Sequence, residues 1–275
     1  MKPQAFDYVR PDSAEEALAL LANSGPEARI LAGGQSLMAV LNMRLAQPSL
    51  LIDISRVPDL NYVKVKDGKD AYLAIGAAAT QASVEWRSSL VQEVPLLAQA
   101  FPHISHFQVR NRGTVCGSVA HADPSAELPL CLLALGGQVV LRTRKGRRVL
   151  AAEDFFQGML MTARHADELV EEVRYPLAVA GQRYAFTEFS QRHGDFAIVA
   201  VAAVAGPDGI RFAVGGVADR PRVIVLPRLQ GSELDGAIND FAWDLEARDD
   251  HHASAAFRRQ LVRRLGREVI ERTMA

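Results

Sequence analysis

Two glycine-bearing segments set the terms on which this chain can fold. The first is Leu31-Ala32-Gly33-Gly34-Gln35-Ser36-Leu37-Met38; the second runs from Arg110 to Pro129, with Gly113, Thr114, Val115, Cys116, Gly117 and Ser118 near its start. Each lies between apolar runs, so each must join core elements. Glycine allows positive φ and lets another group approach without meeting a Cβ. Leu37, Met38, Val40 and Leu41 follow the first segment at helical spacing, and peptide N–H groups converging at a helix start suit a phosphate. Ser36 adds a hydroxyl. Alone, the first segment reads as an ordinary strand-to-helix turn, and the second could be a tight connection between core elements. Together, about 80 residues apart, they offer two amide-rich loops, and a dinucleotide has two phosphates to hold. Carboxylates downstream of the second loop, Asp123 and Glu127, can accept hydrogen bonds from a ribose diol.

Several classes are excluded. Neither segment is the three-glycine dinucleotide fingerprint, and no P-loop occurs, so a Rossmann domain has no support. Two cysteines, Cys116 and Cys131, cannot supply the four ligands of an iron–sulfur cluster. If this chain handles electrons, it needs an organic cofactor. A net charge of -1 over 275 residues gives no reason to expect nucleic acid or an anionic membrane as partner. No apolar run approaches the roughly 20 residues that cross a bilayer, and Met1 to Arg10 has no signal-peptide character. A cytoplasmic protein is expected.

The remaining elements are read from period and punctuation. Ser13 and Glu16 have capping-box spacing ahead of Ala17, Leu18, Leu20 and Leu21, and Gly25-Pro26 ends that helix. Residues 29–32 and 50–54 read as short buried strands. Alternation from Tyr62 to Ile75 about Asp67-Gly68 predicts a hairpin. Thr80 is placed to cap a helix beginning near Ala82, and another covers Leu96 to Phe101. Residues 113–119 read as strand. Leu128 to Leu135 reads as helix stopped by Gly136, and strands at 139–141 and 148–150 flank a turn at Lys145-Gly146. Beyond residue 165, strands at 168–174, 184–189, 197–204 and 210–217 suggest an antiparallel sheet. Residues 253–272 form a basic helix with Phe257, Leu261, Leu265 and Val269 on one face. The sum is an α+β chain.

The two loops resemble the signature segments of the FAD-binding subunits and domains of molybdenum hydroxylases. The family's first loop reads Ala-Gly-Gly-His/Gln-Ser, here Ala32 to Ser36. Its second reads Asn-Arg-Gly-Thr-Val/Ile-Gly-Gly-Ser followed by Ala-His-Ala-Asp-Pro, here Asn111 to Pro124. Met43-Arg44-Leu45, Leu51 to Ile54, Ile75-Gly76-Ala77, His193 to Ala197, Gly215-Gly216-Val217 and Phe257-Arg258-Arg259 extend the similarity in order along the chain.

That resemblance implies a para-cresol methylhydroxylase-type fold: two α/β subdomains, about 1–56 and 57–176, gripping FAD, then a C-terminal domain, 177–275, with an antiparallel sheet. It implies that Ala32, Gly33, Gly34, Gln35 and Ser36, with Gly113, Thr114, Val115, Cys116, Gly117 and Ser118, hold the FAD pyrophosphate without a covalent bond. Leu31, Leu37 and Met38 would flank the first loop. Asp123 belongs to the same signature, Glu127 matches a carboxylate near the adenosine, and Val170 an aliphatic position beside the cofactor. The molybdenum cofactor and [2Fe–2S] clusters would sit on partners, a large molybdenum subunit and a small iron–sulfur subunit, in a dimer of heterotrimers. Electrons would pass through FAD to NAD or another acceptor. No side chain of this chain is expected to act as acid, base, nucleophile or metal ligand. Gln35, where carbon monoxide enzymes carry His, points toward the N-heterocycle or aldehyde hydroxylases. A stand-alone flavin oxidase of the same fold and a flavin-free assembly subunit are the alternatives.

Two positions depart from the pattern. Cys116 replaces the first glycine of a Gly-Gly pair, and a Cβ at positive φ costs on the order of 1 kcal/mol; either φ is negative there or the loop tolerates it. Thr187-Glu188 stands where many relatives carry a lysine near the flavin. Elsewhere, His103 and His106 read as surface histidines, His121 and Asp123 as loop residues, and Arg142, Arg144, Lys145, Arg147 and Arg148 as a solvated hairpin face.

Overall fold

A computed structural model describes residues 2–275. Three sheets follow one another along the chain. The first is parallel, with β1 (Asp7–Val9), β3 (Leu50–Asp53) and β2 (Ala28–Leu31) in that spatial order. The helix Ala14–Ser24 packs on it through Ala14, Ala17, Leu18 and Leu21. It begins as expected, with Glu16 N–H donating to Ser13 Oγ (3.1 Å), while the Glu16 carboxylate accepts from Asp12 N–H.

The second sheet is antiparallel. It comprises β4 (Val63–Lys66), β5 (Tyr72–Gly76), β10 (Leu169–Pro176), β6 (Gln138–Thr143) and β7 (Gly146–Ala151), in that order, with a small hairpin β8 (Phe156–Gly158) and β9 (Met161–Thr162) alongside. Both hairpins expected from sequence form. The strand at 168–174 does not join the later strands as its position suggested; as β10 it is the centre of this sheet.

The third sheet is a meander of β11 (Arg183–Phe189), β12 (Val199–Gly206), β13 (Gly209–Gly215) and β14 (Arg222–Leu226). All eight residues of β12 are buried. Ala200, Ala202 and Val204 join the core shared with the second sheet, and Val199, Val201, Ala203 and Ala205 join a second core under the helices Gly231–Asp244 and Ala255–Met274. A strand covered on both faces is apolar throughout rather than alternating.

Sequence reading missed β1, β14 and the helix Gly231–Asp244. It also erred at 113–119, where the chain forms a helix, Val115–His121, capped by Thr114. On the basic C-terminal helix, Leu261, Leu265 and Val269 are buried, but Phe257 lies half-exposed against the Phe189 ring.

The basic hairpin is not simply solvated. A β-bulge in β10 makes Glu171 an extra, buried residue. Arg142 Nη1 donates to its carboxylate at 2.7 Å, and Arg147 donates to both oxygens. Arg148 grips Glu168 in the same way. Burial alone would push the Glu171 carboxyl up; the hydrogen bonds from Arg147 and Arg142 outweigh it and hold the group below the ordinary glutamate range. A depressed carboxyl adds stability that is complete above the unfolded-chain value of 4.5 and is lost as pH falls through the folded value. Glu171→Gln is therefore expected to cost about 1–3 kcal/mol in denaturant melts at neutral pH, and that difference should shrink in acid.

Candidate functional site

The first glycine segment leaves β2 at Leu31 and enters the helix Leu37–Asn42. Gly34 takes φ +72°, open to glycine without strain. The loop's carbonyls are used: Gly34 O accepts from Met38 N–H, Ser36 O from Val40 N–H, and Gly33 O from Gln35 Nε2. Its N–H groups are not. Among the described residues, the amides of Gly33, Gly34, Gln35 and Ser36 donate to no protein group. Four consecutive unpaired donors form an anion-receptive run.

The second segment is strapped by backbone to Thr80 and Gln81, just after β5. Gly113 O accepts from Gln81 N–H at 2.7 Å, and Thr80 and Thr114 form an antiparallel bridge. Thr114 Oγ1 then accepts from Gly117 N–H at 3.0 Å and starts the helix. A Cβ built on Gly33 would collide with the Arg112 carbonyl and lie 2.6 Å from Gly113 Cα. The two loops therefore meet backbone against backbone, and glycine at 33 is what allows it. Gly117 leaves room for the Thr114 hydroxyl, which would lie 2.6 Å from an added Cβ.

The helix Val115–His121 divides the remaining expected residues. Val115, Cys116 and Val119 face the core, whereas Gly117, Ser118 and His121 are only half-buried. Cys116 has no positive φ, so its Cβ carries no strain, and its Sγ lies 3.3 Å from Ile75 O as a donor. Burial pushes its thiol up, and Cys131 likewise. Both should resist thiol reagents such as Ellman's reagent in the native protein and react on unfolding; modification of Cys116 at native rates would refute that packing role. Removing the cap with Thr114→Ala should lower stability by about 1 kcal/mol in thermal or denaturant melts, while Thr114→Ser should keep most of it.

Other expected residues lie further along. Leu31, Ala32, Leu37 and Met38 are half-buried around the first loop, and Val170 is buried at the β10 bulge. Asp123 Oδ1 accepts from Ser125 N–H at 2.8 Å, holding the turn into the helix Glu127–Ala134. His121 is pushed down by burial, against the pull of Asp123. Glu127 is buried, and burial together with the Glu188 charge raises it to about 8. His103 is no free surface histidine: its Nδ1 lies 3.5 Å from Glu188 Oε1.

A cavity of about 870 Å³ opens beside this region. Its wall includes Asp123–Ser125 from the end of the second loop, Ser105 and His106, Arg192 and Gly194–Ile198, and Gly216–Asp219. Gly216 N–H donates to Pro124 O at 2.8 Å, joining the third sheet to that loop. Phe196 is 68% exposed in this wall. Sequence reading did not single out Gln81, buried against Gly113 with Oε1 unpartnered; no local signal marks it, because its role comes from the neighbouring loop.

Comparison with known proteins assigns this arrangement to a class. The model of the FAD binding domain in molybdopterin dehydrogenase matches residues 4–178. The chain is 38% identical over 288 residues to the 6-hydroxypseudooxynicotine dehydrogenase complex subunit alpha of Paenarthrobacter nicotinovorans, covering 100% of this chain and 95% of that one. It is 38% identical to the nicotine 6-hydroxylase medium subunit of the same organism, covering 98% of each. Its fold matches a carbon monoxide dehydrogenase from Hydrogenophaga pseudoflava which lacks the Mo-pyranopterin moiety of the molybdenum cofactor, with TM-score 0.92, 30% identity, and coverage of 100% and 99%. The chain belongs to the FAD-binding medium subunits of the molybdenum hydroxylase family. It is an α+β oxidoreductase subunit carrying that family's FAD-binding domain, as the loop resemblance implied. Among the described residues, no helix is long and apolar enough to cross a membrane.

Proposed function

We propose that this chain carries electrons out of a heteromeric molybdenum hydroxylase. A small partner subunit delivers them from its [2Fe–2S] clusters, a large molybdenum subunit having hydroxylated the substrate. FAD, held here without a covalent bond, supplies the redox chemistry and passes them to NAD or another acceptor. The assembly is a cytoplasmic dimer of heterotrimers. The substrate class is an N-heterocycle or an aldehyde, a reading supported by Gln35 and by the names of the two relatives, a 6-hydroxypseudooxynicotine dehydrogenase and a nicotine 6-hydroxylase.

The observation that carries this reading is the contact of Gly33 with Arg112–Gly113, beside four unpaired amides. This chain's residues have binding and positioning to do. Gly33, Gly34, Gln35 and Ser36 offer N–H donors to one phosphate; Thr114, Gly117 and Ser118 present the second loop to the other. Leu31, Ala32, Leu37 and Met38 shield that contact from water. Val115 and Cys116 support the second loop from the core side, and Gly113 keeps the loops close. Asp123 shapes the cavity wall, and Val170 and Glu127 back it from within. We assign residues 1–56 and 57–176 as the two subdomains of a para-cresol methylhydroxylase-type FAD-binding unit and 177–275 as the C-terminal domain.

Flavin-free protein mixed with FAD should turn yellow and retain one flavin per chain through gel filtration. Gly33→Val should weaken FAD binding by about 100-fold, equivalent to about 2.7 kcal/mol, with the melting transition still cooperative. Co-purification from the native source should bring iron–sulfur and molybdenum companion chains. Substrate turnover by the isolated chain would favour a stand-alone oxidase, and a folded but colourless protein would favour a flavin-free assembly subunit.

A further inference from the structure

The second loop is clasped by the short helix Gln81–Glu85. At the start of that helix, Thr80 bridges Thr114, and Gln81 N–H donates to Gly113 O at 2.7 Å. At its end, the Glu85 carboxylate accepts from Arg110 Nε at 2.7 Å and from Nη2 at 3.0 Å. The Gln81 side chain fills the space between these ties. It is 6% exposed, and a Cβ built on Gly113 would lie 3.3 Å from its Nε2 and 3.4 Å from its Cδ. The same Cβ would lie 3.1 Å from Val109 O, which accepts from Gly113 N–H. Gly113 is thus packed against a flat amide, while its Cα lies 2.6 Å from the position a Gly33 Cβ would take.

Gln81 is an unfavourable choice for filling space alone. Its Oε1 is buried and accepts no hydrogen bond. A buried amide oxygen without a donor destabilises the fold, and an apolar side chain of the same length would avoid that cost. What the apolar chain lacks is the planar, rigid end. Methionine offers a flexible thioether that adapts to its surroundings, whereas the glutamine amide presents one fixed surface to Gly113. The residue gives up stability and gains a defined spacing.

We propose that Gln81 is a positioning residue for the cofactor diphosphate: its amide sets how closely the Arg112–Gly113 peptide stands to the first loop. The inference rests on the FAD reading above. The relay runs from Gln81 to Gly113, and from Gly113 and Arg112 O to Gly33, each link a direct contact. The unpaired amides of Gly33, Gly34, Gln35 and Ser36 lie at its far end. Close-packed backbone does not compress, so a shift at Gly113 passes on to Gly33. Donors displaced in this way no longer meet phosphate oxygens at hydrogen-bond distance and angle. Gln81 acts through the loops and is not a catalytic residue.

FAD titrations followed by flavin fluorescence test the relay. Gln81→Ala should weaken FAD binding by about tenfold, with melting still cooperative. In a Gly33→Ala background the loops are already forced apart, so the same change should weaken binding by less than about threefold. Gln81→Met separates positioning from stability. Without FAD it should melt at or above the wild-type temperature, because the unpaired oxygen is gone, yet it should bind FAD more weakly. A residue that only packs would change melting and leave affinity alone. Equal losses from Gln81→Ala in the wild-type and Gly33→Ala backgrounds overturn the relay. Wild-type affinity in folded Gln81→Ala and Gln81→Met overturns the positioning role altogether. Should Gln81→Ala fail to fold, Gln81→Met with and without Gly33→Ala decides by the same comparison. A wild-type chain that stays colourless after FAD addition overturns the FAD reading and this inference with it; a yellow wild type with unaltered variants overturns this inference alone.

Discussion

Everything about this chain's site depends on one close approach, the Gly33 peptide lying against the Arg112 carbonyl and Gly113 Cα. Any side chain at 33 would push the loops apart. Because the approach is backbone to backbone, it places unpaired N–H groups of the first loop beside a second loop already fixed by Gln81 N–H, the Thr80–Thr114 bridge and the Thr114 cap. The first loop is held only by its flanking strand and helix. The second is clamped on three sides. That combination of one rigid loop and one open run of donors is the basis on which we propose a receptor for a doubly charged, extended anion.

The scaffold makes that approach reproducible. The parallel first sheet delivers Leu31, and the second sheet delivers Ala77–Thr80, against which Thr114 pairs. β12 forms a common wall between two cores, its even-numbered residues serving the N-terminal core and its odd-numbered residues the C-terminal one. Small side chains, Ala200, Ala202, Ala203 and Ala205, let helices close on both faces. The cavity lies where the third sheet's Gly216 bonds to Pro124 of the second loop.

What could be read from sequence were features carried by short range: the Ser13 cap, the hairpins about Asp67-Gly68 and Lys145-Gly146, the Gly136 stop and the two loops. The failures have physical causes. Residues 113–119 look strand-like because Val115, Val119 and the glycines disfavour helix, yet the Thr114 cap and the packing of Val115, Cys116 and Val119 override that propensity. The helix Gly231–Asp244 contains Gly231 and Gly236 and buries only Leu234, Ile238, Phe241 and Ala242, too sparse a stripe to stand out. Charge pairing was the least legible. Glu171 and Glu188 are both buried glutamates on strands, and nothing local distinguishes them. Tertiary structure gives Glu171 two arginines and Glu188 one histidine.

The claim that both loops grip one FAD is tested most directly by hydrogen–deuterium exchange on the chain with and without FAD. Peptides covering residues 31–38 and 110–122 should both become protected on binding, the first more strongly because its amides begin unpaired. Protection of one segment without the other, or of neither while flavin is bound, would contradict the account.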